Sequence, residues 1–172
     1  MTPAILDIEA SGLGGGSYPI EVGFALPDSS THCLLIKPQA DWDAWDVTAE
    51  RLHGISREHL FIRGLDAGEV AVALNEFLRG MTVYSDAWGN DQTWLALLFD
   101  RAGLVPRFKL ETVRALLCDR QAELWREVKQ SITIELALGR HRASTDARIL
   151  QLTYLRTREI IEREDAKKRR RL

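Results

Sequence analysis

The chain has 172 residues, 45% of them hydrophobic and 28% charged, with a net charge of −2, the make-up of a globular protein and not of a disordered or fibrous one. It starts with neither a basic stretch nor a long apolar run, so neither a secretory leader nor a membrane span is expected, and the expected compartment is the cytoplasm. The charge is unevenly spread: residues 1–100 hold 15 acidic against 5 basic side chains, and residues 101–172 hold 10 against 18, an acidic region suited to cations and a basic one suited to phosphates.

Residues 1–165 read as one domain and 166–172 as a basic tail, either solvated or in nonspecific contact with nucleic acid. In chain order, a strand is expected over Ala4–Glu9, a glycine-rich loop over Ala10–Ser17, a second strand over Ile20–Leu26, a turn at Pro27–Ser30 and a third strand at Cys33–Lys37. Trp42–Ile55 reads as irregular structure with a short helix. Leu65–Leu78 carries Val70, Val72, Ala73, Leu74, Phe77 and Leu78 at helical spacing and stops at Gly80. Met81–Ser85 is a short buried strand, and Asp91–Ala102 a helix that buries Trp94, Leu95, Leu98 and Phe99. Phe108–Glu111 is a last strand and Thr112–Lys129 a helix. Ile132–Leu138 is either helix or strand, and a final helix runs to about Arg163, capped by Ser144 or Thr145. Cys33 and Cys118 lack metal-ligand spacing and are expected as buried free thiols. Strands first, then strands alternating with helices, give an α/β class with a mixed sheet.

In the first strand Asp7 and Glu9 are two residues apart, which puts both carboxylates on one face while Leu6 and Ile8 face the core. Their repulsion and desolvation are relieved either by solvent at a sheet edge or by a hard divalent cation, Mg²⁺ or Mn²⁺. Asp91 and Asp146 each open a helix, where an acid also interacts well with the helix dipole. His141 stands five residues before Asp146, a spacing that brings the two together only if His141 lies in the loop and Asp146 in the first turn.

These residues carry a resemblance. Leu6-Asp7-Ile8-Glu9-Ala10-Ser11-Gly12-Leu13 followed by Pro19-Ile20-Glu21-Val22-Gly23, then His53-Gly54-Ile55, then Asp91-Gln92-Thr93-Trp94-Leu95, and finally His141-Arg142-Ala143-Ser144-Thr145-Asp146 resemble, in order and spacing, the motifs of DEDDh-type 3′→5′ exonucleases. The resemblance implies a ribonuclease-H-like fold and two Mg²⁺ or Mn²⁺ ions held by Asp7, Glu9, Asp91 and Asp146. It further implies His141 as general base, a partner nucleic acid with a free 3′ end, and possible pairing as a homodimer. Ser11, Gly12 and Leu13 would then border the terminal nucleotide, with Leu13 against the bases. Where many members have His-Asn-Ala before the second motif, this chain has Ser85-Asp86-Ala87-Trp88-Gly89-Asn90. Asp86 is thus a rival to Asp91 as ligand or a group on the substrate side, and Trp88 either stacks on a base or packs in the core.

Three other functions stand beside exonuclease: a non-cutting module that binds strand ends or serves a polymerase, a hydrolase of very short oligonucleotides, and a structural protein whose acids are caps and surface. A complete set of four acids and a histidine argues against the first, and the last would require three ordered motif matches by chance.

Overall fold

The computed structural model describes residues 1–136 and 142–170. Three strands, β1 (Ala4–Ala10), β2 (Pro19–Ala25) and β3 (Thr31–Leu35), form an antiparallel meander. Beyond β1 the sheet continues with β4 (Thr82–Ser85) and β5 (Lys109–Thr112), both parallel, in the order β3-β2-β1-β4-β5. Six α-helices accompany it among the described residues: α1 (Val47–His53), α2 (Arg57–Arg63), α3 (Ala67–Phe77), α4 (Trp88–Ala102), α5 (Asp119–Leu136) and α6 (Ala143–Arg169). This is the expected mixed α/β sheet. None of these helices is long and apolar enough to cross a membrane.

The period of two along the strands divides the sheet into two faces. Leu6 and Ile8 of β1 and Val22 and Phe24 of β2 pack with Val70 and Leu74 of α3 and Leu98 and Phe99 of α4 in the larger core. Ile5 and Ala25 face the other way, onto Ala147 and Leu150 of α6. The same alternation turns Asp7 and Glu9 toward the face that α6 covers. A third cluster, Val128, Ile132 and Ile149, seals α5 against α6.

α6 reaches the sheet at one point of very close approach. A Cβ on Gly23 would lie 1.9 Å from the Ser144 nitrogen and 2.1 Å from the Ala143 carbonyl carbon. Gly23 is the cross-strand partner of Asp7. The absent side chain therefore lets the first turn of α6 rest on β2 beside Asp7.

Several expectations are corrected. α2 occupies a segment to which sequence periodicity assigned nothing; Ser56 caps it by accepting the His59 N–H. α3 buries Val70, Ala71 and Leu74, whereas Val72 and Phe77 are exposed. α4 begins at Trp88, so Asp91 sits in its first turn and not at its start. Ile132 is helical, in an α5 that runs to Leu136; residues 137–138 fall outside the described residues. α6 begins at Ala143 with no side-chain cap from its own N-cap residue Arg142, and continues to Arg169. Both cysteines are exposed rather than buried, although the Cys33 sulfur turns inward to donate to Glu21 Oε1 at 2.8 Å. Trp94 is buried, and Trp125 packs partly buried against the Ile5–Ala147 cluster, as expected.

Gly23→Ala should destabilise the protein by at least about 3 kcal/mol, at the upper end for overpacking, because backbone and not a side-chain tip must yield. Gly14, which has nothing within 4 Å of an added Cβ, should tolerate alanine within about 0.5 kcal/mol. Urea denaturation of the two variants makes the comparison; similar midpoints would contradict the close approach of α6.

Candidate functional site

Asp7 and Glu9 of β1 and Asp146 of the first turn of α6 each offer a carboxylate oxygen, and these atoms lie within 4.8 Å of one another, all three residues half-buried. β1 brings the first two. The β1–β4 pairing ends at Ile5↔Tyr84, so the acidic end of β1 projects past β4. α6 brings the third, through the approach over Gly23.

Asp91 is not a member of that triplet but stands next to it, on the first turn of α4. It is fully buried. Its Oδ2 accepts a hydrogen bond from Ser85 Oγ at the end of β4, and its Oδ1 is buried without a hydrogen-bond partner. Burial pushes the Asp91 carboxyl up to about 7; the Ser85 hydroxyl opposes this, and the charges of Asp86 and Glu9 add to it. Asp7 is raised well above the ordinary carboxylate range, first by burial and then by the charges of Asp91, Glu9, Asp146 and Asp86.

An orphaned buried oxygen beside a cluster of mutually repelling carboxylates fits a hard divalent cation, because one ion satisfies the lone pairs and offsets the repulsion. The donors are all oxygens, the set that suits Mg²⁺ or Mn²⁺.

A cleft of about 280 Å³ opens beside Glu9, bordered by Gly12, Leu13, Asp46, Leu52, His53 and Trp94 among others. Leu13 is 82% exposed at its rim. Gly12 is close-packed, since a Cβ there would meet the Asp46 Cβ at 3.0 Å. Ser11 is buried and structural in its bonding: its hydroxyl accepts the Tyr18 N–H at 3.1 Å and its carbonyl the Asp46 N–H at 2.8 Å. Trp88 lies apart from this cleft, its indole N–H donating to the Leu110 carbonyl at 3.1 Å. Asp86 is an ion-pair partner of Lys129 at 2.6 Å. His141 falls outside the described residues.

His53 also lines the cleft, a placement that the His-Gly-Ile stretch by itself does not reveal. It closes α1 and is buried, with Nδ1 accepting the Ile55 N–H at 3.1 Å and Nε2 left without a partner. Burial lowers its pKa, and because Nδ1 accepts a hydrogen bond, the ring proton is left to Nε2. Leu52, beside it, is 57% exposed; an exposed leucine followed by a buried histidine at a helix end is the signal that could have located this wall.

No protein-family model matches the chain, and no curated protein sequence matches it. Solved structures do. Exonuclease I of E. coli in complex with a 5cy-dA13 oligonucleotide matches with a TM-score of 0.64 at 12% identity, over 90% of this chain and 40% of that one. The zinc-bound form of the E. coli exonuclease I–single-stranded DNA complex matches with a TM-score of 0.62 at 14% identity, over 92% and 41%. A moderately thermophilic exonuclease I from Methylocaldum szegediense matches with a TM-score of 0.63 at 16% identity, over 90% and 40%. The chain thus spans about two fifths of the length of these proteins, and at such identities the likeness is one of fold alone, a ribonuclease-H-like mixed sheet.

Proposed function

We propose that the chain is a metal-dependent 3′→5′ exonuclease of the DEDDh type that releases nucleoside 5′-monophosphates from RNA or single-stranded DNA. The observation that carries this reading is the convergence of Asp7, Glu9 and Asp146 within 4.8 Å, beside the buried, unpartnered Oδ1 of Asp91. The nuclease-type fold supports it, as do the neighbours described as complexes with single-stranded DNA.

Asp7, Glu9 and Asp146 would hold a first divalent cation, and Asp91 would contribute to a second. Bound there, two Mg²⁺ or Mn²⁺ ions would activate the attacking water and stabilise the departing 3′ oxygen. The remaining work falls to the chain's own groups. His141 takes the proton of the water, a task suited to an imidazole near neutral pH. Gly12 brings backbone close to the terminal nucleotide and Leu13 lies against its base. The cleft beside Glu9 receives that nucleotide and separates it from bulk water. The water attacks the last phosphodiester, the bond to the 3′ oxygen of the penultimate sugar breaks, and the freed nucleotide keeps the 5′-phosphate.

End-labelled single-stranded RNA, single-stranded DNA and duplexes should give ladders that shorten from the 3′ end with Mg²⁺ or Mn²⁺ and none with chelator. Asp7→Asn should slow cleavage at least about a hundredfold, and His141→Ala by about 10²–10⁴-fold with strand binding retained. Tight binding without products would instead favour an end-binding module. Cleavage limited to dimers and trimers would favour a hydrolase of short oligonucleotides.

The raised carboxyls also set the pH dependence of stability. A carboxyl raised in the folded state binds more protons there than in the unfolded chain, so stability falls as pH climbs from about 4 toward the folded pKa. For Asp91 this interval ends at about 7. Without divalent cations the wild type should therefore lose more melting temperature, or gain less, between pH 4 and pH 7 than Asp91→Asn does. Saturating Mn²⁺ should raise the wild-type value by several degrees at pH 7.5 and by much less at pH 4.5, as read by calorimetry. An equal response at both pH values would contradict the cation site.

A further inference from the structure

We propose that Glu21 and Arg142 form a clamp that positions Asp146 against Asp7 and Glu9. The inference rests on the nuclease reading above and assigns positioning residues to it.

Glu21 lies in the middle strand of the meander and is fully buried, a place where a carboxylate is expensive to hold. A neutral side chain of like volume would suit the strand as well or better, so packing alone does not explain an acid there. Its bonding does. Oε1 accepts from Arg142 Nη2 at 2.5 Å, from Arg142 Nε at 2.9 Å and from the Cys33 thiol at 2.8 Å, while Oε2 accepts the Ala143 N–H at 2.9 Å. Burial raises the Glu21 carboxyl, but the bonds from Arg142, Cys33 and Ala143 outweigh it and hold it below the usual range.

α6 has no side-chain cap of its own. Glu21 supplies one from another element, placing a negative charge and an acceptor at the helix N-terminus. The effect on the site follows from register. Glu21 is the cross-strand partner of Glu9, as Gly23 is of Asp7. Arg142 is held by its side chain to Glu21, and its carbonyl accepts the Asp146 N–H at 2.9 Å. One end of this linkage is thus paired with the β1 carboxylates and the other carries Asp146. A slip of α6 by one residue would turn Asp146 by about 100° and disperse the triplet.

The test uses the full chain, with Glu21→Gln, Arg142→Ala and Arg142→Lys measured beside wild type. Each is checked for folding by circular dichroism, and for kcat and KM on a single-stranded 3′-labelled substrate. Mn²⁺ affinity is measured calorimetrically without substrate. The folded variants should lose at least tenfold in kcat and tenfold in Mn²⁺ affinity while KM stays within about twofold, and Arg142→Lys should recover part of both. Should Glu21→Gln not fold, the Arg142 pair decides, because that side chain is 44% exposed. Folded variants with kcat and Mn²⁺ affinity within twofold of wild type would overturn the clamp alone. A wild type that binds Mn²⁺ but cuts no strand would overturn the nuclease reading and leave the clamp to be judged on Mn²⁺ affinity.

Discussion

Carboxylates whose oxygens approach within 4.8 Å repel one another, and the fold presses them together in good part by interactions that do not involve the acids themselves. Two do so here. The apolar faces of β1 and β2 lock the strands in register over the larger core, and α6 lies on the bare backbone of Gly23 with its N-terminus beside Asp7. The second is the more exacting. Hydrophobic burial would hold α6 against the sheet at many heights, as Ile5, Ala25, Ala147 and Leu150 do. Only a glycine at position 23 lets its first turn come close enough to bring Asp146 to the strand acids. The helix dipole then favours the negative charge that arrives there.

Much of this arrangement is visible in the amino-acid order. Period two in Leu6-Asp7-Ile8-Glu9 separates core from acid, and the position of Asp146 at the start of a long amphipathic segment puts it in a first turn. The parts that were not legible have physical reasons. In α3 the apolar residues surround much of the helix, and Val72 lies about 200° from both Val70 and Leu74, so the core can use only one of the two faces. Phe77 is 40% exposed yet sits 4.4 Å from the His32 ring, a contact across elements that no local period encodes. The cap of α6 was assigned to Ser144 or Thr145 because local capping is the rule. The actual acceptor is 122 residues away in sequence, and its only local trace was a glutamate in an otherwise apolar strand. Apolar neighbours suggest a buried Cys33, but β3 is an edge strand with alternating exposure, so position in the sheet and not neighbouring composition decides there; Cys118 lies in the approach to α5, outside any strand.

The basic excess of the second half also changes meaning in three dimensions. Four of its cations are committed to partners on the same pair of helices or along one helix: Arg120 to Glu123 and Glu164, Arg156 to Glu135, Arg158 to Glu162, Arg163 to Glu159. Exposed pairs of this kind add little to stability, but they reduce the field that a phosphate backbone would meet along α5 and α6. A basic count taken over the chain therefore overstates the surface available to nucleic acid.

Lys129 is the pairing that bears on the site, because it takes Asp86, at the end of β4, into an ion pair between side chains 40% and 29% exposed. Asp86 and Asp91 are close enough in sequence to compete for one role, and their surroundings separate them. The charge on Asp86 is met by an ammonium and by water. The charge on Asp91 is met by the Ser85 hydroxyl and, more weakly, by the Ile8 backbone, in a fully buried position where Oδ1 has no side-chain partner. A group already compensated gains little from a cation, whereas a buried group with an unfilled acceptor gains a great deal. The cost of desolvation, more than distance along the chain, thus favours Asp91 over Asp86 as the acid that a metal would recruit.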